Sequence, residues 1–237
     1  MRYFLILVLV FSSFLLFSED LFFCRVYKMD SNKEDLLFFH YNEHIRNKDQ
    51  TILRHYYVRP DSTVATIDEV MLEKGEFKQS KADFLEVDET GMVIRDGDRM
   101  TLSFRKADKN KERELDYPAD LLVGPLFNIH IKKNWDKLIE GEKIYFKLPA
   151  PDIQQVATFT FQEVKNSEYN KEGHIVFELD AASFFLQLLV KPSFFVYQIS
   201  SQKLMEIHGT TILRTKQNGK WQNTTDVNMY YEYWDDK

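Results

Sequence analysis

The sequence predicts a mainly β protein with a single domain: a curled antiparallel sheet or open barrel on which two helices pack. Three observations predict it. Short runs rich in β-branched and aromatic residues recur along the chain, broken by polar turns. Each run follows its neighbour too closely for the helical crossovers that parallel strands need. No internal repeat, low-complexity tract or linker divides the 237 residues, so residues 19–237 are expected to form one β-rich domain.

The elements follow in order. Cys24 is expected in the buried face of a first strand. Residues 36–45 and 51–58 flank a polar five-residue loop and read as a hairpin. Residues 63–72 and 77–87 flank Glu73-Lys74-Gly75-Glu76 and form the next. Residues 92–95 and 99–104 flank Asp96-Gly97-Asp98, where Gly97 can take positive φ. Residues 105–118 are the most polar stretch, with five Lys or Arg in fourteen positions, and read as a solvated loop. A first helix is expected over 124–139, because Phe127, Ile131, Trp135 and Leu138 recur on one helical face. Pro125 suits its first turn and Gly141 its end. Strands resume at 142–148, 156–164 and 173–179. A second helix is expected over 180–190, capped by Asp180 and ended by Lys191-Pro192. The remaining strands are placed at 194–199, 204–214 and 225–234, with a tight turn at Asn218-Gly219.

Residues 1–18 have the pattern of a secretory signal peptide. Arg2 provides the positive start, an uncharged apolar run follows, and Glu19-Asp20 stand just beyond Ser18. Cleavage after Ser18 is expected, with export to the periplasm or outer-membrane periphery if the source is bacterial. Two alternatives stand beside it. The run is shorter than the ~20 residues of a spanning helix, which weighs against a retained anchor. Leu21-Phe22-Phe23 is too bulky before Cys24 for a lipoprotein signal.

Composition excludes several functions. The net charge of −6 gives no electrostatic footprint for nucleic acid. One cysteine allows neither an intrachain disulfide nor a multi-Cys metal site. There is no Gly-x-Ser-x-Gly elbow, phosphate-binding loop or Gly-x-Gly-x-x-Gly, so no catalytic residue is assigned and no cofactor expected. Among the histidines, His40 and His44 share a strand face with Asn42 but stand ~13 Å apart, too far for one metal. The expected register sets His55 roughly opposite Tyr41, on the Glu43 face. That leaves Glu43 and His55 as a metal pair, against the default of surface or satisfied core histidines.

The second helix carries the sharper functional expectation. Phe184, Phe185, Leu186, Leu188, Leu189 and Val190 leave it almost no polar face. Such a helix is buried or touches something apolar. It either plugs the concave face of the sheet or lines a pocket for an acyl chain or hydrophobic peptide. The candidate ligand-binding residues are Trp135, Phe184, Phe185 and Leu188.

The stretch 127–152, with Asn134-Trp135-Asp136, a Gly141-Glu142 turn and a strand ending near Pro149, resembles a segment of uncharacterised bacterial exported proteins. The stretch 184–209, with its apolar helix, Lys191-Pro192 and Tyr197, is similar to them too. Together the two cover about a fifth of the chain. The resemblance implies export and a β-rich fold and carries over no catalytic residue. Strand meander plus covering helices is also similar, in architecture alone, to half-barrel carriers of lipoproteins and lipids. The expected function is therefore an exported envelope protein that binds a lipid or another hydrophobic ligand without catalysis and touches membranes only peripherally. A structural or accessory envelope protein is the alternative, and a hydrolase with a non-local active site stands third.

Overall fold

The computed structural model describes residues 20–188, 190–217, 219–223 and 226–234. The proposed leader, residues 1–18, lies outside them. Strand accounts for 58% and helix for 9% of the structure, so the sheet carries the fold.

The first meander consists of β1 (Phe22–Lys28), β2 (Leu36–Asn47), β3 (Gln50–Val58), β4 (Val64–Glu73), β5 (Glu76–Phe84), β6 (Glu89–Asp96), β7 (Arg99–Lys106) and β8 (Lys109–Asp116). The second consists of β9 (Ile144–Ala150), β10 (Gln155–Glu163), β11 (His174–Ala181), β12 (Ser193–Gln198) and β13 (Lys203–Gly209). A small hairpin of β14 (Arg214–Gln217) and β15 (Lys220–Asn223) precedes the last strand, β16 (Val227–Tyr233). The main sheet runs β8-β7-β6-β5-β4-β3-β2-β1-β16-β13-β12-β11-β10-β9 and is not closed. Its ladders are antiparallel; β1 and β16 join the two meanders at the centre.

The hairpins are tighter than the sequence suggests. Lys48-Asp49, Lys74-Gly75, Gly97-Asp98 and Ala107-Asp108 are two-residue turns. Lys74 and Gly75 both have positive φ, the geometry that matches strand twist. Residues 105–118 are not a loop: Arg105 and Lys106 finish β7, and 109–116 form β8. Cross-strand pairing, with Arg99 tied to Glu114 and Asp116, makes a strand there without an apolar face. Its charge suits an exposed edge. The expected strand over 204–214 breaks at Gly209, where a Cβ would stand 2.8 Å from Ser193 Cα. Of the expected Asn218-Gly219 turn, Asn218 lies outside the described residues; Gln217 pairs with Lys220 between β14 and β15, and Gly219 has φ 78°.

Neither expected helix is continuous. The first comprises a 3₁₀ turn at Gly124–Leu126, α1 (Phe127–Lys133) and α2 (Trp135–Ile139). Asn134 breaks it at φ −106°, ψ 14°, its side-chain amide donating to the His130 carbonyl at 2.9 Å. The predicted face nevertheless packs inward: Ile131, Trp135 and Leu138 are buried and Phe127 packs against them. The second helix shrinks to one turn, α3 (Phe184–Gln187). Its start is lost because Asp180 and Ala181 pair with Thr160 and Phe159 in the sheet.

The chain between β8 and β9 fills the curl. Leu122, Ile131, Trp135 and Leu138 pack on Phe22, Phe38, Phe146, Phe161, Phe177 and Tyr197 in one apolar cluster. Val123 packs with Val70 and Leu72. Burial of these side chains against the concave face supplies the apolar core of the open sheet.

Candidate functional site

The four residues proposed from sequence are not brought together. Trp135 is buried, edge-on to Phe177 and Tyr197. Phe184, Phe185 and Leu188 are 68%, 79% and 68% exposed on the turn between β11 and β12. The turn neither plugs the concave face nor closes a pocket with it; other side chains occupy that space. Its own polar ties are few: the Gln187 amide donates to Asp180 and to the Ala181 carbonyl, and Lys191 pairs with Asp226. In sheet order the loops on either side, at the same end, carry exposed Ile153 and Ile212. Asp20, where β1 is entered, belongs to the opposite end.

The concave face carries a polar row that the sequence reading misplaced. The tight β2–β3 turn pairs His55 with Asn42, not Tyr41, and Glu43 with Arg54. A slip of one residue moves a side chain to the other face. His55 is therefore buried with His40 and Asn42, and the expected Glu43–His55 metal pair is not formed. His40 Nε2 and His55 Nδ1 are 3.3 Å apart, and Tyr57 stacks on His40. The Asn42 side chain accepts the Phe22 amide at 2.9 Å. Asp68 pairs with His55 in the next strand. Asp68 keeps a little solvent contact but is ringed by protein, and burial pushes its carboxyl up to about 6 against the pull of His55. Gly124 leaves room for that carboxylate, since a Cβ there would sit 2.5 Å from Asp68 Oδ2.

This row can share protons, but no activated nucleophile joins it from β1. Cys24 is buried opposite His40, as the sequence reading of a core cysteine expects. Burial holds its thiol well above the usual range, so it is neutral at pH 7. Among the described residues, no three His, Cys, Asp or Glu side chains are grouped to hold a metal ion. Among them too, no helix is long and apolar enough to cross a membrane.

Two open clefts lie elsewhere. One, of about 580 Å³, is lined by Leu85, Glu89, Lys106, Arg214 and Trp221 among others. Its charges are mutually satisfied: Lys106 and Arg214 both pair with Glu89. Burial would raise the Glu89 carboxyl, and these two cations hold it below its usual value instead. The second, of about 480 Å³, lies where β8 approaches the β9–β10 turn. No sequence motif announces either cleft, because each is assembled from strands distant in the chain.

These features define a mainly β, single-domain protein with an unclosed antiparallel sheet, a filled concave face and a polar row within it. No protein-family model, curated protein or solved structure matches the chain.

Proposed function

We propose that this chain is an exported, non-catalytic binding protein that engages lipid acyl chains through the end of the sheet bearing Phe184 and Phe185. One observation carries the reading: three large apolar side chains stand 68–79% exposed on a single turn. Burying such a side chain is worth about 1.5–3 kcal/mol, so the arrangement favours an apolar partner at that point. The loops beside it extend the apolar character through Ile153 and Ile212. The filled interior argues for contact at the surface, not for a ligand swallowed by the curl.

The test is co-sedimentation with vesicles of phosphatidylethanolamine and phosphatidylglycerol at three to one. The wild-type protein is expected in the pellet. A Phe184→Ser/Phe185→Ser/Leu188→Ser variant with unchanged circular dichroism is expected to stay in the supernatant. Equal partition of the two proteins overturns the reading and leaves a structural envelope role. Export by the 1–18 leader is tested separately by N-terminal sequencing of protein from a native-type host, where intact Met1 in the cytosol refutes it.

A further inference from the structure

The seam between the two sheet edges carries a cleft apart from the apolar turn. The edges do not pair. Two long side chains bridge them instead: Lys111 Nζ donates to the Asp152 carbonyl at 2.9 Å, and Arg113 Nη1 to that of Gln154 at 3.2 Å. Next to these bridges lies the cleft of about 480 Å³, within the ~300–1,000 Å³ range of small-molecule sites.

Its floor and rim differ in chemistry. Met100, Leu115 and Val156 line it and belong to a cluster built on buried Val93, Met100 and Leu102. The rim is cationic. Asp116 is engaged by Arg99, and Lys147 makes only an exposed pair with Asp120 at 3.3 Å. Arg113 is exposed, its hydrogen bond here goes to a backbone carbonyl, and no carboxylate pairs with it among the described residues. Gln154 stands at the edge of the cleft, its side-chain nitrogen donating to the Pro151 carbonyl.

We propose that this cleft binds a single-chain anionic amphiphile of the lysophospholipid class. The chain lies on the Met100, Leu115 and Val156 floor. The phosphate pairs with Arg113, whose planar guanidinium suits it. The other cleft offers no such unpaired cation.

The experiment is calorimetric titration of the purified protein with oleoyl-lysophosphatidylglycerol below its micelle concentration. Oleoyl-lysophosphatidylcholine and glycerol 3-phosphate are the comparators. The wild type is expected to bind the anionic lipid, and Arg113→Glu to weaken it at least tenfold while changing the zwitterionic lipid less than threefold. Arg113→Lys keeps the charge but loses the planar donor fork, so its affinity for the anionic lipid should fall between those of the wild type and Arg113→Glu. The Phe184→Ser/Phe185→Ser/Leu188→Ser variant should bind as wild type does, which separates this site from the turn. The proposal is overturned if the lysophosphatidylglycerol is not bound, or if Arg113→Glu leaves its affinity unchanged. Binding of glycerol 3-phosphate as tight as that of the lipid, or loss of binding with the turn variant, overturns it equally.

Discussion

Replacing Asp68 by asparagine should stabilise the protein at neutral pH. The folded chain holds this carboxyl near 6, chiefly through burial, against an ordinary value of 3.8. Above pH 6 the group is ionised in both states, and the folded state bears the cost of the buried charge. Two units of displacement correspond to about 3 kcal/mol. The sign follows from proton binding. Between 3.8 and 6 the native state holds more protons than the unfolded state, so stability falls as pH rises through this window. Below it the penalty vanishes. The Asp68→Asn change keeps the shape beside Gly124 and removes the charge. Urea unfolding of both proteins from pH 4 to 8 measures the difference. It should be near zero at pH 4 and approach ~3 kcal/mol by pH 7.5, a rise in Tm of roughly 6–12 °C for a chain of this size. A variant less stable than wild type at pH 7.5, or a pH-independent difference, refutes the reasoning and shows that ionised Asp68 is held by His55 more strongly than burial penalises it.

Other perturbations follow from the same geometry. Glu206 is held down to about 2, first by its hydrogen bond with His208 and then by Lys171, so its contribution is present above pH 4.5 and lost as the pH falls towards 2; His208→Ala should flatten that acid limb in melts taken from pH 7 to 2.5. Trp135→Ala should cost about 3–5 kcal/mol by opening the core beside Phe177 and Tyr197, read from a chemical denaturation midpoint. Gly209→Ala drives a Cβ into the Ser193 backbone and should cost about 2 kcal/mol or more, measured the same way. Cys24, buried and neutral, should react with a thiol reagent at the rate of unfolding, and fast reaction in native buffer would contradict its burial.

The antiparallel meander was legible because Gly75 and Gly97 mark turns between β-branched runs, and short connections leave few topologies. The buried face of the first helix was legible because Phe127, Ile131, Trp135 and Leu138 keep a 3.6-residue period. The polar row was not. A five-residue loop and a two-residue turn differ by one step of register, and that step decides whether His55 faces Glu43 or Asn42. β8 was hidden because a strand formed by pairing at a solvated edge needs no apolar alternation. The turn at Phe184 reads as a longer helix in sequence because an apolar run shows no phase, and the ladder from β10 claims Asp180 and Ala181 first. The seam cleft draws on Met100, Arg113, Lys147 and Val156, which no local spacing connects.

The pairing of β1 with β16 sets a constraint on biosynthesis. Phe22 lies opposite Tyr233 and Lys28 opposite Val227, so β1 waits for β16. At roughly 5–20 residues per second, about 200 residues of synthesis take on the order of 10–40 s. During that time the β2–β8 hairpins can close by themselves, because each joins neighbours in the chain. The two meanders become one sheet only when β16 arrives, so the core they share is completed late. The strand order therefore withholds the final zipping of the sheet until a pairing that spans about 200 residues of chain can form.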